Sequence, residues 1–210
     1  MKFRLLVILS CLLLACKSSS QDVNFNINQK SWQEDFQFLK KKVEKTVPTY
    51  DIPANKKAFD EVYDIISDSD VGNQKEEIIY ALQRLLNTLN DEGCNVPLFQ
   101  KGVALELLPI KTYWFNDGLF VLDTSENYKD VIGKQIVKIN NIPIQEVFNT
   151  LKPILNADND YYKRYLFQAY GFMPSVLKVM DLGKSDDEIM LEFASGETKQ
   201  IKSSSINTYA

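Results

Sequence analysis

The side chains that could do chemistry in this 210-residue sequence are few: Cys16, Cys94, Ser195, the carboxylates of Asp158 and Asp160, and an aromatic set of Trp114, Tyr161, Tyr162, Tyr165 and Tyr170. Histidine is absent. That removes every Ser-His or Cys-His nucleophilic pair and the commonest zinc ligand. A serine can instead be activated by a lysine held neutral by burial, with backbone donors forming an oxyanion hole. Ser195-Gly196-Glu197 lies between two alternating stretches, so it reads as a hairpin turn. Cys94 has no histidine to activate it and reads as a half-buried structural thiol. Asp158 and Asp160 could bind calcium, but with Asn159 between them they cap a helix more simply. The aromatic set could form a sugar platform; packing in a core or interface is the simpler reading. The reading therefore assigns no catalytic residue, no metal and no cofactor.

Cys16 has a different chemistry. Lys2 and Arg4 form a basic start, and Leu5 to Leu14 is an apolar run of signal-peptide length, short for a membrane span. The run ends Leu13-Leu14-Ala15-Cys16, which resembles a bacterial lipobox. The resemblance implies cleavage before Cys16 and lipidation of it, with a stable anchor once more than one acyl chain is attached. The expected partner is the lipid bilayer, and the expected place is the bacterial cell envelope. Residues 1–15 then form the leader and 16–30 a lipidated tether, whose Lys17-Ser18-Ser19-Ser20-Gln21-Asp22 reads as flexible. Cys11 leaves with the leader, so Cys94 is the one remaining free thiol and no intramolecular disulfide is expected. Lys and Arg number 24 against 28 Asp and Glu. Loss of Lys2 and Arg4 makes the balance more acidic still, which argues against a nucleic-acid partner.

The elements that must position these groups follow from periodicity. Residues 31–92 read as helical. Ser31 and Glu34 suggest a capping box before Trp32, Phe36, Leu39 and Val43, and Pro48 stops this helix. Phe59, Val62, Tyr63 and Ile66 mark a second helix, which Val71-Gly72-Asn73 breaks. Asn73 caps a third, with Ile78, Leu82, Leu85 and Leu89 in one stripe. After the turn Asp91 to Asn95 the period shifts toward two. A strand is expected over 103–108, then a hairpin over 109–123 with Asp117-Gly118 as its turn. Gln135 to Asn140 alternates, with Ile136 and Lys138 on one face and Val137 and Ile139 on the other. Ile144, Val147, Phe148 and Leu151 mark a helix that Pro153 helps to end, and Met173-Pro174-Ser175 starts a further helical turn. Glu188 to Ala194 and Thr198 to Lys202 form a second hairpin.

Asp117-Gly118-Leu119-Phe120-Val121 and Gly133-Lys134-Gln135-Ile136-Val137-Lys138-Ile139-Asn140-Asn141, in this order and with a helix after them, resemble the PDZ-like module of the tail-specific (C-terminal processing) serine proteases. The resemblance extends over about residues 31–202. It implies an α+β fold: an N-terminal three-helix region over 31–96, then a PDZ-like β-module with additional helices over 97–205. Glu92-Gly93-Cys94-Asn95 stands where the family has an Asp-Gly-His-Thr motif, and the family's serine-lysine core would follow the module. The resemblance also places a peptide groove at Ile110, Lys111, Thr112 and Tyr113, with Val147 and Leu151 on the opposite helix. An extended peptide or a protease partner would bind there by strand addition. Leu107-Leu108-Pro109 stands where the family's carboxylate-binding loop is glycine-rich, and Pro109 has no N–H to offer. The expected function is a non-catalytic interaction module, or part of a serine-type peptidase whose core lies on another chain.

Overall fold

Proline placement sets the chain direction in the helical part. The computed structural model describes residues 29–68, 75–96 and 106–205. The leader, Cys16, most of the tether, the Asn73 cap and residues 97–105 lie outside them. Helix α1 spans Gln29–Thr46. Val47, pushed to an extended conformation by the following proline, ends it, and Pro48–Asp51 forms a single tight turn. Pro53 then opens helix α2, Pro53–Asp68, at the position where a missing N–H costs nothing. Helix α3 spans Lys75–Asn87. Ser31 sits inside α1 and is not its cap, because Gln29 and Lys30 are already helical.

The three helices bury Phe36, Val43, Tyr50, Phe59, Ile66, Leu85 and Leu89 in one cluster. A buried amide locks it. Asn55 Nδ2 donates to Thr49 O (3.0 Å) and Leu89 O (2.8 Å), and Asn55 Oδ1 accepts from Asn90 Nδ2 at 2.8 Å. Asn90 adopts φ 47°, the left-handed conformation that ends many helices. The stripe Ile78, Leu82, Leu85 is only half of what α3 buries. Ile79 and Tyr80 enter the second, larger core beneath the sheet.

The sheet is antiparallel, in the order β2-β3-β4-β6-β7. Its strands are β2 (Ile110–Phe115), β3 (Gly118–Thr124), β4 (Gln135–Ile139), β6 (Glu188–Phe193) and β7 (Thr198–Lys202), with β5 (Ile142–Pro143) paired to β4. Short strands β1 (Glu106–Leu107) and β8 (Ser204–Ser205) pair with each other and so tie the two ends of the sheet together. Helices α4 (Ile144–Leu151), α5 (Asp160–Tyr170) and α6 (Pro174–Val179) complete the layer over the core. The fold is α+β, as the sequence implies.

Three local features differ from the sequence reading or sharpen it. The β2–β3 turn is Asn116-Asp117, one residue earlier than expected, with Phe115 paired to Gly118. Gly118 belongs to β3 and has φ +150°. The Gln135 amide, which donates to Asp117 O at 2.8 Å, stands 2.1 Å from where a Cβ would be. The glycine is there for close approach, not for the turn. Second, Ile136 and Ile139 are both buried although alternation puts them on opposite faces. A bulge between Ile136 and Lys138 opposite β6 inserts one residue and flips the parity. Third, Asn140 and Asn141 both take positive φ (50° and 68°) between the paired Ile139 and Ile142, the geometry of a two-residue type I′ turn. Asn140 Nδ2 also donates to Leu182 O at 2.9 Å, and its Oδ1 accepts from Met190 N at 3.1 Å.

Gly118→Ala is expected to lower stability by about 1–3 kcal/mol, since it combines a disfavoured φ with a side-chain clash. Urea unfolding of the two proteins measures this, and Gln135→Ala in the same background should recover part of the loss.

Candidate functional site

The free edge of β2 and the helix beside it form the site. Among the described residues β2 pairs on one side only, with β3. Side chains alternate along it. Lys111 and Tyr113 face solvent, Ile110 is half-buried, and Thr112 is 1% exposed with an Oγ1 that has no hydrogen-bond partner. Val147 and Leu151 are 0% exposed and lie within the core, so α4 is not the second wall of a groove. The reason is placement: α4 packs under β4, whereas α5 lies alongside β2.

Helix α5 is built for that position. Asn159 caps it, its side chain accepting from Tyr162 N at 2.8 Å. Phe167 and Tyr170 face the core. On another face, Tyr161, Arg164 and Gln168 recur at steps of three and four. This face meets β2 on both sides of its edge. The Tyr161 hydroxyl hydrogen-bonds with Tyr113 and pushes that phenol's pKa up. The Arg164 guanidinium lies 5.2 Å from the centroid of Trp114. Since Tyr113 and Trp114 point to opposite faces of the strand, α5 flanks the edge itself. Tyr161 and Tyr165 are 75% and 60% exposed, and Tyr162 is also exposed, while Tyr170 is buried; the aromatic set is thus split between surface and core.

Two clefts open at the two ends of β2. One, of about 350 Å³, lies at Leu107 to Lys111 with Asp123 and Thr124 opposite. It offers no backbone donor at its turn. Leu108 N–H donates to Phe172 O (2.9 Å), Pro109 has none, and Ile110 N–H turns back to Leu108 O (2.8 Å). The other, of about 300 Å³, lies between Tyr113 to Asn116 and the α5 residues Tyr161, Arg164 and Gln168. Sequence reading missed Arg164, Gln168 and Asn116. The i, i+3, i+7 spacing of 161, 164 and 168 was its available signal.

The fold is shared with CPAF. CPAF is a chlamydial serine protease of the tail-specific protease-like kind. Mature CPAF complexed with lactacystin matches at a TM-score of 0.58, a serine-to-alanine mutant of CPAF at 0.57, and mature CPAF at 0.52. Each is 14% identical and matches 84% of this chain. The chain spans about a third of the CPAF chains, 34% to 35% of their length. At that identity the likeness is one of fold. No protein-family model and no curated protein matches the sequence.

The other candidate groups have structural partners. Ser195 Oγ accepts from Glu197 N at 3.3 Å inside the β6–β7 turn, and Lys134 pairs with Glu197 at 2.6 Å. Asp160 pairs with Lys152 at 3.2 Å. Among the described residues no cluster of carboxylates or thiols could hold a metal, and no helix is long and apolar enough to cross a membrane. Cys94 sits in a tightly bonded loop. Its N–H donates to Asp91 O at 2.9 Å, and Asn156 Nδ2 donates to Asp91 O (2.8 Å) and Cys94 O (2.6 Å). Burial, then the Asp91 carboxylate, pushes the Cys94 pKa above its ordinary value.

A raised thiol pKa means less thiolate at any given pH near neutrality, and thiolate is the reactive form. Alkylation of Cys94 by iodoacetamide at pH 8 should therefore run about threefold or more slower than that of free cysteine, accelerating only at higher pH. Peptide-resolved mass spectrometry over a pH series checks the sign.

Proposed function

We propose that this chain is a membrane-anchored bacterial lipoprotein whose folded part is a non-catalytic peptide-interaction module, an N-terminal three-helix region followed by a PDZ-like β-module. The observation that carries the reading is the free β2 edge facing α5 across a cleft. A strand with one unpaired edge is a template for an extended peptide, whose main chain supplies affinity while alternate side chains enter flanking pockets. Lys111 and Tyr113 would present such a peptide with side-chain contacts, and α5 supplies the second wall in place of Val147 and Leu151. Lipidated Cys16 would hold the module at the envelope.

A second reading is favoured by the CPAF likeness, which covers about a third of those chains. In it the chain is the recognition part of a serine-type peptidase whose catalytic core is encoded elsewhere. Co-purification from native membranes decides between them: a bound polypeptide carrying a serine nucleophile and a lysine base supports the second reading, and its absence the first.

Titration with extended peptides should shift the backbone amides of Ile110 to Phe115 in an NMR spectrum and leave those of β7 unmoved. Shifts confined to other strands would sink the β2 reading. Cys16→Ala should move the protein from the membrane to the soluble fraction, and retention in the membrane would refute the anchor.

A further inference from the structure

We propose that the cleft between the end of β2 and α5 is a carboxylate pocket, in which Arg164 receives a carboxylate carried by a peptide lying along β2. The inference rests on the reading of β2 as a peptide-binding edge and names what that peptide must present.

Among the described residues Arg164 is a cation without a counter-ion, and its Nε is buried with no hydrogen bond. Three lysines of the sheet differ: Lys134, Lys138 and Lys199 are paired with Glu197, Glu192 and Asp130. Buried polar atoms are nearly always satisfied, so the unpartnered Nε marks an under-satisfied guanidinium, and the same side chain lines the cleft wall. Asn116 and Gln168 line the same cleft, and their amides too have no partner among the described residues. Three donor-bearing side chains thus line one cleft without a hydrogen-bond partner among the described residues.

The pocket is also pre-organised. The guanidinium carbon lies over the Trp114 ring, 5.2 Å from its centroid, and Trp114 is itself packed against Phe148 (5.2 Å) and Phe167 (5.3 Å). A planar guanidinium fork matches a carboxylate in two parallel hydrogen bonds, which a lysine cannot do. Tyr113, Phe115 and Tyr161 also line the cleft. The opposite cleft suits a carboxylate less well: the backbone N–H groups of Leu108 and Ile110 are engaged, Pro109 has none, and the Asp123 carboxylate lines it beside Lys111. Recognition of a carboxylate therefore belongs to the Asn116 end of β2. A glutamate or aspartate side chain and a free chain terminus share this chemistry.

Three peptides of alternating valine and threonine separate the possibilities. One is blocked at both ends and carries a single glutamate, scanned along its length; the second is the blocked glutamine counterpart; the third has the glutamine and a free C-terminus. Binding to the purified full-length protein is read by fluorescence anisotropy, with amide shifts in β2 as the location control. At least one carboxylate peptide should bind about tenfold or more tightly than the blocked neutral one. Arg164→Gln should abolish that preference, and Arg164→Lys should recover only part of it. Which of the two carboxylate peptides wins identifies the source. If all three bind wild type equally, the pocket is refuted while the β2 edge stands. If none binds, both readings fall together. The comparison among peptides on wild type decides the matter even where a variant does not fold.

Discussion

Three rings hold the working part of this molecule together. Trp114 from β2, Phe148 from α4 and Phe167 from α5 meet with centroids 5.2 to 5.7 Å apart. The arrangement is tilted and edge-to-face, the geometry in which aromatic quadrupoles attract. Phe167 also packs on Phe172, and its ring lies so near Gly171 that a Cβ there would come within 2.6 Å of it. Through this contact an edge strand, the helix under the sheet and the helix beside the edge become one body. The cleft at the end of β2 exists because α5 is held there, and Arg164 is steady because Trp114 is.

The helical part supplies the second anchor for α5. The chain between α4 and α5 passes residues 152–158 and is bonded to the helical part along that length. Asn87 Nδ2 donates to Pro153 O at 2.9 Å, Asn156 bridges Asp91 and Cys94, and Asp158 N–H donates to Glu92. Helix α3 contributes to both hydrophobic clusters, Leu85 to one and Tyr80 to the other, with the Tyr80 hydroxyl 3.2 Å from Ser175 Oγ. The loop that carries Cys94 is therefore a joint between the two parts. Its polar groups satisfy backbone carbonyls, and a neutral thiol suits a half-buried place in such a joint better than a charged one.

Turn and cap chemistry was legible at several positions, though Ser31 proved not to be a cap and the β2–β3 turn fell one residue before Asp117-Gly118. Asn159 and Ser195-Gly196 act through their own backbone and their nearest neighbours, so their roles can be read without the fold, whereas the Asn140 side chain also bonds to distant Leu182 and Met190. The stripe on α4 was legible for the same reason. Two features were not. The bulge in β4 depends on how β6 pairs with it, and the alternation of Gln135 to Asn140 contains no sign of that. The second wall of the groove depends on which helix lies beside β2. Apolar spacing identified Val147 and Leu151 as one face of a helix, but the same spacing serves a core face and a groove face equally.

The sequence by itself determined the elements, their order, the α+β class and the absence of imidazole chemistry, because these follow from local periodicity, turn residues and composition. Tertiary structure alone decided what each face meets. It turned α4 inward beneath β4, set α5 against the β2 edge, consumed the donors beside Pro109 and left Arg164 Nε without a hydrogen-bond partner among the described residues. The physical reason is that periodicity records which side chains share a face. Whether that face meets the core, another strand or open solvent depends on long-range packing, and in this chain the rings of residues 114, 148 and 167 set it.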